Sequence, residues 1–481
     1  MTNLDRRQFL GSSLIVGAAI ITPDMALAGS TPPGWALGVA DVEADIPQET
    51  LSLVQGKVPA GLSTTLFRNG PAKFRRGDSA SGHWFDGDGL VRRWQVRGGQ
   101  ATLAARFVDT PKRRLETKLN AIVQPGFGSP RRAGAVVNGP DDTNAANTSV
   151  MVAGGQLYAL WEGGSATMLD AATLATQGPK TFRRDLKQMA FSAHPRVDRD
   201  GTVWNFCGNG ENTFIWKLNP NGSLAKAEMI KLDRKSYFHD FTTTARHLIF
   251  VLQPWVQEEF VFPLSTGMVW RPELGTQILV IDKDDFSKRR VFELPAFSFF
   301  HLADGWEEKD GTIRFDGCLE ADPTFGQKSA SALLRGEHIK APTPMLTQIV
   351  LHINGKAEMQ TTRIAAEFPS SDRRMAGQKR RFTTHVTGYR STPFPHAIAM
   401  YDWQKGRDDK HDFGEHQLVE EFLFVANGAG ENDGWLIGTT LNLKAQKTEL
   451  HLLNAARLKD GPVATWQASL ALPLGFHGTI G

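Results

Sequence analysis

Cysteine is nearly absent from this 481-residue chain, where Cys207 and Cys318 stand alone. Two thiols this far apart exclude a disulfide framework or a thiolate metal site, and they permit one disulfide without requiring it. A charge of one sign is missing too. Lys and Arg number 54 against 51 Asp and Glu, net +3, and the basic residues are scattered, so nucleic acid is not an expected partner. Past the first 28 residues no apolar run approaches the roughly 20 residues that a membrane-crossing helix needs. Helical periodicity is scarce, the best candidate being a short piece at 181–190 (TFRRDLKQMA). Proline- or serine-rich linkers are lacking, as is a clean repeat at a fixed period of roughly 40–50 residues. Nothing divides the chain, and one large domain is expected.

What is present begins with a targeting signal. Residues 1–28 carry the twin arginines Arg6 and Arg7, then Phe9–Leu10, an apolar run to about Ile21 and a small-residue Ala26–Leu27–Ala28 end. This pattern reads as a twin-arginine export signal, and Pro23 and Asp24 cut the apolar run too short for an anchor. The expected organisation is a signal peptide over 1–28, a single domain over 29–481, and a periplasmic location. Beyond the signal, β-branched and aromatic runs alternate with Gly, Asn, Asp and Pro, as in GQLYALWEGG (155–164) and TQILVIDKDD (276–285). With 41% hydrophobic and 22% charged residues, that spacing argues for a globular all-β protein. A pair of β-sandwiches and a single closed propeller both fit.

Four of the 13 histidines share a setting. His194 (FSAHPRVD), His239 (SYFHDFTTT), His301 (SFFHLADGWEE) and His477 (LGFHGTIG) each follow small or aromatic residues at what reads as a strand end. Neutral imidazole is the commonest metal ligand. The separations match no local metal motif, so only a radial fold in which distant strands end at one axis would unite them.

Those four histidines with their flanks resemble, in order, the metal-binding signatures of the carotenoid cleavage oxygenase family. LFRNGPAKF (66–74), HWFDGDGLVRRW (83–94), PLSTGMVWRPELGTQILVID (263–282), AEFPSSDRR (366–374) and ENDGWLIG (431–438) are similar to that family's landmarks, and the likeness runs from about residue 45 to the carboxy terminus. The resemblance implies a seven-bladed β-propeller with a non-haem Fe(II), one per chain, on its axis and short helices and loops capping one face. It implies His194, His239, His301 and His477 as ligands, and Glu162, Glu367 and Glu421 as carboxylates orienting them, with Glu420 competing for the last role. Thr148 (ANTSV) resembles a threonine that points toward the vacant iron position, and Trp84 or Phe85 would line a substrate tunnel. HWFDGDG itself reads as a hairpin turn, since the full spacing of a calcium loop is absent.

The activity implied is cleavage by dioxygen of a conjugated C=C bond in an apolar alkene, a carotenoid or apocarotenoid, to two carbonyl products. A lignin-derived or other stilbenoid is the alternative substrate. Stilbene-cleaving relatives place a tyrosine against the substrate's 4-hydroxyl in a segment like RFVDTPKRRLETKLN (106–120), where this chain has no tyrosine and aligns Arg113. A non-catalytic periplasmic propeller holding an apolar ligand is the alternative of another class, and isomerisation on the same iron is a third. The stretch 255–264 (WVQEEFVFPL) is apolar enough for transient contact with a membrane surface, but Glu258 and Glu259 interrupt it, so a core or tunnel wall is expected there.

Overall fold

A computed structural model describes residues 32–481 apart from Gly210 and Ser391; the expected signal at 1–28 lies outside the described residues. Regular structure among the described residues is almost all antiparallel strand. Seven sheets of four or five strands follow one another along the described residues, with small two-stranded ribbons inserted within blades one and four. First strands of successive sheets touch from blade four to blade seven, then on to the carboxy-terminal strand and blade two, so these strands line a common axis. The result is a seven-bladed propeller.

The central strands of each blade are covered on both faces by neighbouring blades, which is why they read as continuous apolar runs and not as alternation. In blade four, His247–Leu252 and Thr276–Asp282 bury Leu248, Ile249, Phe250, Val251 and Leu252 against Ile278, Val280 and Ile281. Both chain ends close the ring. Ile46–Thr50 is the outer strand of blade one and Ser52–Gly56 that of blade seven, while Gly478–Ile480 becomes the inner strand of blade one. This interlock joins first and last blades by backbone hydrogen bonds and leaves no open seam.

Short helices cap one face. Gly34–Val39, Trp84–Asp86 and the segment Phe325–Leu333 share an apolar cluster of Trp35, Val39, Trp84, Leu333, Phe394 and Phe476. Four readings of the sequence need correction. The piece at 181–190 holds only a 3-10 turn, Arg184–Leu186. A helix absent from that reading spans Pro111–Leu119, with Thr110 accepting from the Arg113 N–H, Pro111 in its first turn and Asn120 left-handed at its end. HWFDGDG is a 3-10 turn leading into the strand Leu90–Arg97 and not a hairpin. Its Asp86 accepts from the Phe127 and Gly128 N–H groups and the Ser129 hydroxyl, while Asp88 is buried against Arg76 and Lys112. Cys207 and Cys318 are buried and unpaired. Stretch 255–264 divides: Trp255 is core, whereas Phe260 is 72% exposed.

Candidate metal centre

Inner strands of a propeller run toward one axis, so a residue at the same level of each strand faces the same point. Here those residues come from all seven blades. Thr148 immediately precedes the inner strand of blade two (Ser149–Ala153), and His194 stands two residues before that of blade three (Arg196–Val197). His239 leads into that of blade four (Thr242–Thr243), and His301 lies within that of blade five (Ser298–Glu307). Glu367 opens the inner strand of blade six (Glu367–Ser370), Glu421 lies in that of blade seven (Gln417–Ala426), and His477 precedes that of blade one. Histidines up to 283 positions apart thereby meet, their four imidazoles offering ligand atoms within 4.8 Å of one another.

Carboxylates behind the rings set which nitrogen faces inward. His239 Nδ1 lies 2.7 Å from Glu162 Oε2, His301 Nδ1 2.5 Å from Glu367 Oε2, and His477 Nδ1 3.2 Å from Glu421 Oε1. Each Nδ1–H donates outward, which assigns the lone pair to Nε2. The Nε2 atoms then converge, at 2.8 Å between His194 and His239 and 3.0 Å between His301 and His477. Lone pairs held this close repel one another, and a cation among them turns that repulsion into coordination. The donor set therefore fits a divalent metal, and four neutral imidazoles suit Fe(II) while leaving it its full charge.

Electrostatics favour the neutral ring at His194 and His477. Burial, reinforced by the neighbouring His239, holds the His194 imidazole well below its ordinary value, and burial also lowers His477 despite Glu421. At His301 burial opposes the charge, but the Glu367 carboxylate outweighs it and the value is raised. For Glu421 burial would raise the carboxyl, yet His477 and Arg68 prevail and lower it. Its other oxygen accepts the Gly478 N–H at 2.8 Å. Adjacent Glu420 faces elsewhere, bonded to Arg92, Thr439 and the Gly475 N–H, so the competition for the third position resolves to Glu421. The backbone is strained beside the site. Phe368 holds a φ of +52°, a conformation rare for a bulky residue, and stacks on His301 with ring centres 4.9 Å apart.

On the capped side the centre opens into a cavity of about 1070 Å³ lined by Trp84, Phe85, Phe127, Thr148, Phe300 and Phe476, among others. Phe300 lies 5.6 Å from the His239 ring and 5.8 Å from Phe85, ring centre to ring centre. Both expected tunnel residues and Thr148 are therefore at the cavity wall. The Thr148 hydroxyl donates to Asn147, and its carbonyl accepts the His477 N–H. Arg113 is not at that wall; its guanidinium lies 4.1 Å over the Phe107 ring. Polar residues that the sequence did not single out do line it, Tyr237, Glu320 and Tyr389 among them. Tyr237 donates to Glu162 at 3.1 Å, so that carboxylate serves a phenol as well as His239. Its position two residues before His239 was the one available signal.

Four inward imidazoles on a propeller axis, backed by carboxylates and opening into an aromatic chamber, define a mononuclear metal oxygenase. The profile of the retinal pigment epithelial membrane protein family matches residues 39–479, and the chain belongs to that family, the carotenoid cleavage oxygenases. It is similar to apocarotenoid-15,15'-oxygenase of Synechocystis sp., 26% identical over 94% of each chain. It is also similar to lignostilbene-α,β-dioxygenase isozyme III of Sphingomonas paucimobilis, 26% identical over 88% of this chain and 92% of that one. Isoeugenol monooxygenase of Pseudomonas putida is 28% identical over 88% of this chain and 93% of its own. In fold it matches a solved variant of the Synechocystis apocarotenoid oxygenase with a TM-score of 0.85 at 24% identity, covering 94% of this chain and 99% of that one.

Proposed function

We propose that this protein is an exported Fe(II)-dependent dioxygenase that cleaves a conjugated C=C bond of a carotenoid or apocarotenoid to two carbonyl products. The observation carrying this reading is the aromatic cavity of about 1070 Å³ that ends on the four imidazoles. Iron supplies the redox chemistry that lets dioxygen react with an alkene, and one alkene plus one dioxygen balances to two carbonyls. His194, His239, His301 and His477 hold the metal; Glu162, Glu367 and Glu421 fix three of the rings and keep their Nε2 atoms free of protons. Trp84, Phe85, Phe127 and Phe300 orient the alkene and exclude water. Thr148 stands at the wall beside His477, whose N–H its carbonyl accepts, and would face a ligand bound at the centre.

A stilbenoid is the second substrate reading, and it is supported by the placement of Tyr237 and Tyr389 at the cavity wall, which offers phenolic partners that Arg113 does not. Export is supported by Arg6, Arg7 and the Ala26–Leu27–Ala28 end, and replacing both arginines by lysine should leave precursor in the cytoplasm. Contact with a membrane surface is supported by exposed Phe260 and Val261 where the cavity wall meets Phe262.

Incubating iron-loaded enzyme with apocarotenoids and hydroxystilbenes under labelled dioxygen, then weighing the products, tests the reaction. Labelled aldehydes from an apocarotenoid are expected. Labelled aldehydes from a stilbene alone would move the assignment to the second reading. Ligand binding with no cleavage of either class would leave a non-catalytic propeller.

A further inference from the structure

Among the polar side chains of the cavity wall, two come from where blades five and six meet. Glu320 ends the second strand of blade five (Ile313–Glu320) and is the register partner of Ser298, the first residue of the inner strand that carries His301. Glu320 thus sits three residues along that strand from His301, on the cavity side of the histidine level. Tyr389 follows the second strand of blade six (Phe382–Thr387), two residues beyond Thr387, in a sheet where Glu367 pairs with Val386. Both side chains line the cavity.

Each has spare hydrogen-bonding capacity. Glu320 is buried and accepts one hydrogen bond at Oε1, from the Ser298 hydroxyl at 3.3 Å. Its Oε2 and the Tyr389 hydroxyl meet no partner among the described residues. Burial, with Glu367 adding to it, pushes the Glu320 carboxyl well above the usual range and favours the neutral acid; burial, with the charges of Glu367, Cys318 and Glu320 adding to it, also pushes the Tyr389 phenol up. A neutral acid and a phenol offer O–H donors and oxygen acceptors together. A ligand oxygen that reaches them gains hydrogen bonds inside a partly apolar cavity, where such bonds are stronger than in open water.

We propose that Glu320 and Tyr389 form a polar subsite that takes an uncharged hydroxyl or carbonyl oxygen of the substrate and so sets which double bond lies at the metal centre. The subsite deepens the alkene-cleavage reading and rests on it for the identity of the ligand. It predicts preference for an oxygenated alkene over a hydrocarbon of the same skeleton.

Anaerobic binding to Fe(II)-loaded enzyme, read by tryptophan quenching, tests it with two matched pairs: an apocarotenal and its hydrocarbon, and 4-hydroxystilbene and stilbene. Wild type is expected to bind the oxygenated member of the pair it accepts about tenfold tighter, the value of one to two neutral hydrogen bonds. Tyr389→Phe and Glu320→Met should remove that preference without weakening the hydrocarbon, and Glu320→Gln, which keeps a donor and an acceptor, should retain most of it. Melting temperature and iron content establish folding, and Tyr389→Phe decides alone if Glu320→Met does not fold. No preference in wild type, or preference surviving in Tyr389→Phe, overturns the subsite. Turnover in air without preference sinks the subsite and keeps the cleavage reading, preferential binding without turnover does the reverse, and no binding of either pair sinks both.

Discussion

The histidine cluster separates two chambers of opposite character. On the capped side lies the cavity of about 1070 Å³ walled by phenylalanine and tryptophan; on the other a well of about 170 Å³ is lined by Arg196, Asp240, Asp304, Ser371 and Arg373. The well stitches blades together. Arg196 on blade three donates to Asp240 at 2.7 Å and to the Phe241 and Leu302 carbonyls, joining blades three, four and five, and Ser371 on blade six donates to Asp304 at 2.7 Å. On the proposed function, contact with substrate falls to one face and cohesion of the ring to the other. Mutations on the two faces should fail in different ways.

Loss of a ligand should be the largest effect, because it removes what both faces serve. His239→Ala or His301→Ala should abolish iron retention and activity, beyond the roughly 10–100-fold cost of changing an outer partner. Elemental analysis after anaerobic Fe(II) loading checks this. Next comes the well. Asp240 also accepts the Phe241 and Leu302 N–H groups, so Asp240→Asn breaks a buried pair and should cost about 3–5 kcal/mol in urea unfolding. A change below 1 kcal/mol would deny the well its structural role.

Glu420 and Glu421 sharpen the contrast within two adjacent residues. Glu421→Gln should weaken iron affinity by about 10–100-fold, whereas Glu420→Gln should lower stability through Arg92 and leave affinity within about threefold. Equal affinity losses would erase the distinction. On the cavity face, Phe300→Leu should raise KM about tenfold with iron content and melting temperature nearly unchanged. The smallest effect is expected from Tyr237→Phe, which frees Glu162 for His239 alone; iron affinity should shift by no more than about tenfold in a chelator competition.

How much of this was legible in the sequence follows from what each residue needs. The four histidines and Glu162 and Glu367 stood out because their flanks carry a resemblance, and the architecture came with it. Glu420 and Glu421 could not be told apart by strand alternation. A register shift between Val419 and Phe422 breaks the two-residue period at that point, and both glutamates are buried. The helix Pro111–Leu119 escaped notice because its inward face is not apolar: Lys112 and Glu116 are the residues it buries, paired with each other and, through Lys112, with Asp88. Its Thr110–Pro111 start signal was present but had no apolar period to accompany it. Glu320 and Tyr389 lie 69 positions apart on different blades, and no spacing rule connects them before the propeller does.

The central claim is that four neutral imidazoles on the propeller axis hold one Fe(II). Titrating metal-free protein with Fe(II) under anaerobic conditions, with metal content measured after desalting, tests it most directly. One iron retained per chain in the wild type, and none in His301→Ala folded to the same melting curve, is the predicted result. Stoichiometric zinc in place of iron, or iron retained equally by both proteins, would contradict it.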